Sequence, residues 1–397
     1  MTFPERFSHL PEYAFPRLRR LLDAHAPGGD VIQMTIGEPR HPFPRWILDE
    51  IASHADGFGK YPPNEGTPAL LAAIAAWLQR RYGVTVDPAT DVTVLNGTRE
   101  GLFNAAIALC PETVRGRKPV ILTPNPFYQV YAVAALTLGA EAVYVPATTE
   151  TGHLPDYAAL PAEILDRVAI AFLCSPANPQ GAVADGAYWR RLIALAEKHD
   201  FRIFADECYS EVYRDDPPPG ALQVARAMGA DPERVVIFHS LSKRSNLPGL
   251  RSGFAAGGPR SIAAIRQLRA YAGAPLPLPL QHAAERVWAD EAHVDESRTL
   301  YRRKYAIAQD VFAGHPQIEV PDAGFFLWLP VEDGEAAALK LWRQTGVRVL
   351  PGAYLSRDVD GVNPGHGYIR VAMVAEEEEM QRGLTAIRDC LYHTRDT

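Results

Sequence analysis

Val235-Val236-Ile237-Phe238-His239-Ser240-Leu241-Ser242-Lys243-Arg244-Ser245-Asn246-Leu247-Pro248-Gly249-Leu250-Arg251-Ser252-Gly253 is an apolar run that ends abruptly in hydroxyls and cations. Its first four residues, all β-branched or aromatic, read as a buried strand. The polar residues after it lie where an open α/β sheet keeps its ligands, beyond the carboxyl end of a strand. A lysine there bears a desolvation cost that favours the neutral, nucleophilic amine. Ser240, Ser242 and Arg251 offer hydroxyls and a planar cationic fork suited to a phosphate. On spacing alone, a Ser/Lys/Arg-rich surface loop remains an equal reading.

Other runs of this kind occupy the middle of the chain: Val92–Leu95, Val120–Leu122, Ala142–Val145, Val168–Cys174, Phe201–Ala205 and Gly253–Ala256. Helical patterns such as Glu100–Leu109 and Tyr188–Lys198 separate most of them. Continuous apolar strands alternating with helices predict an α/β domain with a mainly parallel sheet. From about residue 285 helical stretches lead to three short strands, Phe325–Leu329, Val347–Leu350 and Tyr368–Val374. These predict a smaller α+β domain joined by the N-terminal segment. The expected division is an arm and small-domain segment at 1–45, a large domain at 46–285 and a small domain at 286–397. No internal repeat is visible, and the proline patches Pro42–Pro44, Pro62–Pro63, Pro217–Pro219 and Pro275–Pro279 read as loops. The acidic run Glu376–Glu379 reads as a solvated helix N-terminus.

With 397 residues, 47% of them hydrophobic, the chain can bury a large core. A formal net charge of −7 gives no field to gather nucleic acid, so an anionic substrate must be held by local arginines. Cys110, Cys174, Cys208 and Cys390 show no metal-ligand spacing and suit a reducing compartment. Met1 to Arg20 lacks the apolar core of a signal peptide, and no run approaches the roughly 18 apolar residues of a membrane span. A cytoplasmic protein without a metal site is the expectation.

Other strand ends carry chemistry too. Asp206 can pair with a protonated ring nitrogen, or it can cap a helix. Asn178 and Tyr209 can hold a phenolic oxygen. Tyr128 can stack on a ring or pack in the core. Gly97-Thr98 opens a helix whose N-terminus can take phosphate. Arg370, inside the apolar Tyr368-Ile369-Arg370-Val371-Ala372, needs an anionic partner, either a substrate carboxylate or a structural acid.

Together these segments resemble the fold-type-I pyridoxal phosphate enzymes of the aspartate aminotransferase-like family, over roughly residues 30–385. The Ser-x-Ser-Lys run with an arginine eight residues on is the most specific element. The resemblance implies the Schiff-base lysine and proton carrier in Lys243, with Asp206 and Tyr209 completing the catalytic set. It implies phosphate ligands in Ser240, Ser242, Arg251 and the backbone at Thr98 and Arg99. Asp206 would hold the pyridine nitrogen, Asn178 and Tyr209 the ring oxygen, and Tyr128 the ring face. Arg370, helped by Gly37 and Asn178, would hold the substrate α-carboxylate. Tyr61 would reach the phosphate of a neighbouring subunit in a homodimer. The family's Asn-Pro-x-Asn-Pro-x-Gly appears here as Ser175-Pro176-Ala177-Asn178-Pro179-Gln180-Gly181, with the second Asn-Pro intact.

Pro124–Tyr131, Glu207–Tyr213 and Ser240–Asn246 look like the proteobacterial N-succinyldiaminopimelate aminotransferases. That implies glutamate as amino donor and N-succinyl-2-amino-6-oxopimelate as acceptor. Aspartate, aromatic or acetylornithine-type specificity, C–S lyase chemistry and a non-catalytic pyridoxal phosphate module are the alternatives. Arg40, Arg99 and Lys304 are the cations open to a distal carboxylate.

Overall fold

The computed structural model describes residues 4–8, 10 and 12–392; the extreme ends of the 1–45 and 286–397 segments lie outside them. A short strand β1, Ile32–Gln33, precedes the main sheet. That sheet has seven strands: β2 Val92–Leu95, β3 Val120–Asn125, β4 Glu141–Pro146, β5 Val168–Cys174, β6 Arg202–Asp206, β7 Val235–Ser240 and β8 Gly253–Ala256. Their spatial order is β2-β8-β7-β6-β5-β3-β4. Every pairing is parallel except those of β8, which runs antiparallel to β2 and β7.

Alternation along each strand sends side chains into two cores, one per face. Val235, Ile237, Ile203 and Ala205 join Trp77, Trp189 and Trp288 on one face. Val236, Phe238, Phe204 and Phe172 meet Leu102, Tyr131 and Ile262 on the other. Helices on both faces cover the sheet, and this is why its strands read as unbroken apolar runs. Several run past those apolar limits: β3 ends on Thr123-Pro124-Asn125 and β7 on His239-Ser240. Backbone pairing continues there after the hydrophobic pattern stops.

The remaining strands are β9 Phe326–Pro330, β10 Val347–Arg348, β11 Leu350–Pro351 and β12 Tyr368–Ala372. The single strand expected over 347–350 is divided between two sheets. β10 pairs in parallel with β1, whereas β11 pairs antiparallel with β12, itself antiparallel to β9. β12 ends two residues before the expected Val374. The Ala372 amide turns to the Met34 carbonyl and the Met373 amide to the Phe325 carbonyl, both at 2.8 Å. Ile32 and Met34 share a core with Tyr301, Phe325, Val371 and Ile387. The N-terminal segment thus packs with the C-terminal strands, beside the carboxyl ends of the main sheet. Glu377–Leu391 is a helix with Glu377, Glu378 and Glu379 in its first turn, as the acidic run predicted. Among the described residues no helix is long and apolar enough to cross a membrane.

Candidate active site

A cavity of about 440 Å³ lies at the carboxyl ends of β5, β6 and β7. Every residue expected to hold the cofactor or the substrate α-carboxylate lines it except Tyr61, which stands fully exposed elsewhere. Lys243 comes in from the short helix Leu241–Arg244. That turn starts sharply because the Ser240 Oγ accepts the Ser242 amide at 3.1 Å. The Lys243 Nζ donates to the Gly37 carbonyl at 2.7 Å. Burial pulls its pKa from the usual lysine value down to about 8, with Arg251 and Arg370 adding to the fall and Cys208 and Glu38 opposing it. A good part of the side chain is therefore neutral near pH 8, as a nucleophilic amine requires.

Asp206 is 4% exposed at the end of β6. Its Oδ2 accepts the Tyr131 hydroxyl at 2.8 Å, and its Oδ1 accepts the Cys208 amide at 3.4 Å. No helix follows it directly, so it is not a helix cap. Burial raises its pKa, against the hydrogen bonds from Cys208 and Tyr131. A carboxylate held this way gains most from a cation bound opposite it.

Arg370 on β12 reaches across to the large sheet. Its Nη1 donates to Asn178 Oδ1 at 2.9 Å and its Nη2 to the Thr35 carbonyl at 2.7 Å. The guanidinium lies 4.2 Å from the Phe326 ring centre. Among the described residues no acid lies within ion-pair distance, and the buried Nε has no acceptor. Burial lowers its pKa to about 10. Of the two partners open to it, a structural acid is absent here. A charge left this way is costly unless a ligand carboxylate completes it.

A further group gathers around the turn at Gly97. The helix Thr98–Leu109 begins there with no side chain capping its first amides. Gly97 has φ +80°, and a Cβ at this position would strike the Arg251 guanidinium. Arg251 is held by the carbonyls of Pro248 and Asn96 at 3.0 and 3.1 Å. With the hydroxyls of Ser240 and Ser242, 3.0 Å apart, these groups form an open cradle of donors. Oxyanion donors, a neutral lysine, a buried carboxylate and the Tyr128 ring fit the phosphate, aldehyde, ring nitrogen and ring face of pyridoxal phosphate.

Several lining residues carried no signal in the pattern. Nor did Tyr131, which stands behind the lining; its ring stacks on Phe172 at 4.4 Å while its hydroxyl holds Asp206. Its place three residues after Tyr128, on one helical face, was the only available hint. Cys208 touches the Thr98 hydroxyl at 3.0 Å. Tyr13 and Phe15 enter the lining because the helix Ala14–Leu22 docks on Trp342 and Leu350.

Fold and site together define a pyridoxal phosphate enzyme. The model of the family "Aminotransferase class I and II" matches residues 29–387. An LL-diaminopimelate aminotransferase of Dehalococcoides mccartyi is 31% identical over 395 residues, 98% of each chain. The crystal structure of an aminotransferase from Neisseria meningitidis is similar with TM-score 0.91 and 38% identity, covering 98% of this chain and 99% of that one. A probable N-succinyldiaminopimelate aminotransferase from Thermus thermophilus gives TM-score 0.82 at 26% identity, over 95% and 100% of the two chains. The chain belongs to the class I and II aminotransferases, and it is a pyridoxal phosphate-dependent transaminase.

The depressed lysine has a kinetic consequence. Capture of pyridoxal phosphate by the free chain needs the neutral amine, whose fraction rises about tenfold per pH unit below the pKa. The rate of appearance of the visible band should therefore rise with pH and level off near 8. An ordinary lysine would keep accelerating to about pH 10. Stopped-flow absorbance across the range between neutral and strongly alkaline pH separates the two.

Proposed function

We propose that this transaminase moves the amino group of glutamate to N-succinyl-2-amino-6-oxopimelate, with Lys243 carrying the proton. The observation that carries the reading is the convergence of Lys243, Asp206 and the acid-free Arg370 on one cavity. When bound, pyridoxal phosphate supplies an aldehyde that takes up the amino group and a ring that spreads the resulting charge. The Lys243 Nζ would take the proton from the substrate α-carbon and hold it for return to the cofactor side of the same linkage. Asp206, braced by Tyr131, would keep the ring nitrogen protonated. Arg370 takes the α-carboxylate, and its bond to Asn178 sets the plane of its fork. Ser240, Ser242, Arg251 and the amides of Thr98 and Arg99 would hold the phosphate. Tyr209 and Asn178 would hold the ring oxygen, and Tyr128 the ring face. Gly37 would help hold the substrate through its backbone, which lies against Phe325 and Phe326 where a Cβ would not fit.

The succinylated substrate is supported by the three motifs around Tyr128, Tyr209 and Lys243, and by the name of the Thermus thermophilus neighbour. A second reading, direct use of LL-diaminopimelate, is favoured by the curated relatives that share 30 to 32% identity. Mixing the loaded enzyme with N-succinyl-LL-diaminopimelate, and separately with free LL-diaminopimelate, decides between them. Faster bleaching by the succinylated compound is expected; faster bleaching by the free diamine reverses the assignment.

The division of the chain at residues 45 and 285 belongs to this proposal, with the cavity at the junction. So does a homodimer. Tyr61 and Tyr271 are almost wholly exposed and Phe58 is exposed too, so each is open to a second copy. Tyr61 is the residue that would reach the phosphate of a second copy. Sedimentation should give about twice the 43.6 kDa chain mass, and Tyr61→Phe should weaken cofactor retention without dissociating the dimer. A monomer that turns over at full rate contradicts this.

A further inference from the structure

We infer, building on the dicarboxylate reading above, that the Arg99 side chain receives the carboxylate at the far end of the substrate. Three cations were open to that role, and the structure separates them. Arg40 lies outside the cavity lining and pairs with Glu379 at 3.3 Å. Lys304 is 1% exposed, with its Nζ 5.5 Å from the Tyr301 ring centre, and it does not line the cavity either. Arg99 does line it.

The other cations in the lining are Lys243, Arg251 and Arg370, and each has a place at the reacting end. Lys243 docks on Gly37, Arg251 is pinned beside Gly97, and Arg370 is pinned to Asn178 and Thr35. Arg99 is the cation left over. Its backbone sits in the first turn of the helix Thr98–Leu109, beside the phosphate cradle, while its side chain runs outward to Tyr128.

One hydrogen bond orients this side chain. The Arg99 Nε donates to the Tyr128 hydroxyl at 2.7 Å. Tyr13 stands close to the guanidinium as well, and among the described residues no acid lies within ion-pair distance of its terminal nitrogens. Tyr128, with a smaller contribution from Tyr13, raises the pKa of the guanidinium against the effect of burial, so it stays charged. The acids in the lining are Asp206, tied to Tyr131, and Glu38, neither of which engages Arg99. Ile36, Phe127, Leu350 and Leu355 line the same cavity and offer apolar cover to a methylene chain. One arginine for the α-carboxylate, an apolar wall and a second arginine describe a site for a long dicarboxylate.

The test uses the loaded enzyme, converted to its amino form with glutamate. Its decay is followed with 2-oxoheptanedioate and with 2-oxoheptanoate, which differ only in the remote carboxylate. Arg99 is partly exposed, so the wild type should favour the diacid by about tenfold or somewhat more in kcat/KM, mostly through KM. Arg99→Gln should bring that ratio close to one, and Arg99→Lys should restore part of it. Taking the ratio removes any common change caused by the lost Tyr128 contact. A wild type without the preference, or an Arg99→Gln variant that keeps it, overturns the assignment. A preference that depends on Arg99, in an enzyme that refuses the succinylated substrate, upholds the Arg99 site and rejects only the succinyl specificity.

Discussion

Replacing Lys243 by alanine is expected to slow the glutamate half-reaction by about 10⁴-fold or more. The change removes two functions at once. A positioned acid–base group contributes typically about 10² to 10⁴ in rate, and the nucleophile that holds the cofactor in place goes with it. Among the described residues the cavity holds no other amine or imidazole to take over, and its three arginines do not give up protons near neutral pH. Rapid quenching and assay of 2-oxoglutarate measures the loss. A variant that stays within tenfold of wild type would contradict the proton-carrier role.

The second large effect belongs to Asp206. Changing it to asparagine preserves volume and much of the hydrogen bonding but removes the charge opposite the ring nitrogen. At a separation of roughly 4 Å and an effective dielectric of about 20, a pair of unit charges gains on the order of 4 kcal/mol. Should that gain be felt mainly in the transition state, losing it slows the chemical step by about 10³-fold. The structure points to the upper part of such a range. Asp206 is buried, and Tyr131 already supplies the hydrogen bond that would otherwise hold it in place. The carboxylate is therefore kept for its charge rather than for structural hydrogen bonding. Single-turnover kinetics with glutamate at saturation reads the chemical step directly, and a loss smaller than tenfold would reject the assignment.

How much of this was legible in the sequence depends on where each residue gets its reason. The strands of the main sheet were readable because both faces are buried, which forces unbroken apolar runs such as Val168–Cys174. Lys243, Asp206 and Asn178 were readable because parallel topology brings strand ends together, so position along the chain predicts position in space. Arg370 stood out as a charge inside an apolar strand. Tyr131 did not stand out, because its hydroxyl finds Asp206 across 75 residues of sequence. The break between β10 and β11 was equally hidden. Val347–Leu350 reads as one strand, and only the competing edges of β1 and β12 divide it. Arg40, Arg99 and Lys304 looked alike for a similar reason. Arg40 and Arg99 differ through Glu379 and Tyr128, both distant in sequence, and Lys304 differs through its burial.

Lys304 also supplies the sharpest control for the central claim. Its pKa, like that of Lys243, is drawn down to about 8 by burial. A depressed pKa therefore does not single out the reactive lysine; the cavity does. Loading the protein with pyridoxal phosphate, reducing the linkage with borohydride and mapping the peptides would show which nitrogen holds the cofactor. The structure predicts a single modified peptide, with the added mass on Lys243. Modification of Lys304 or any other lysine in place of Lys243 would contradict the assignment of this site.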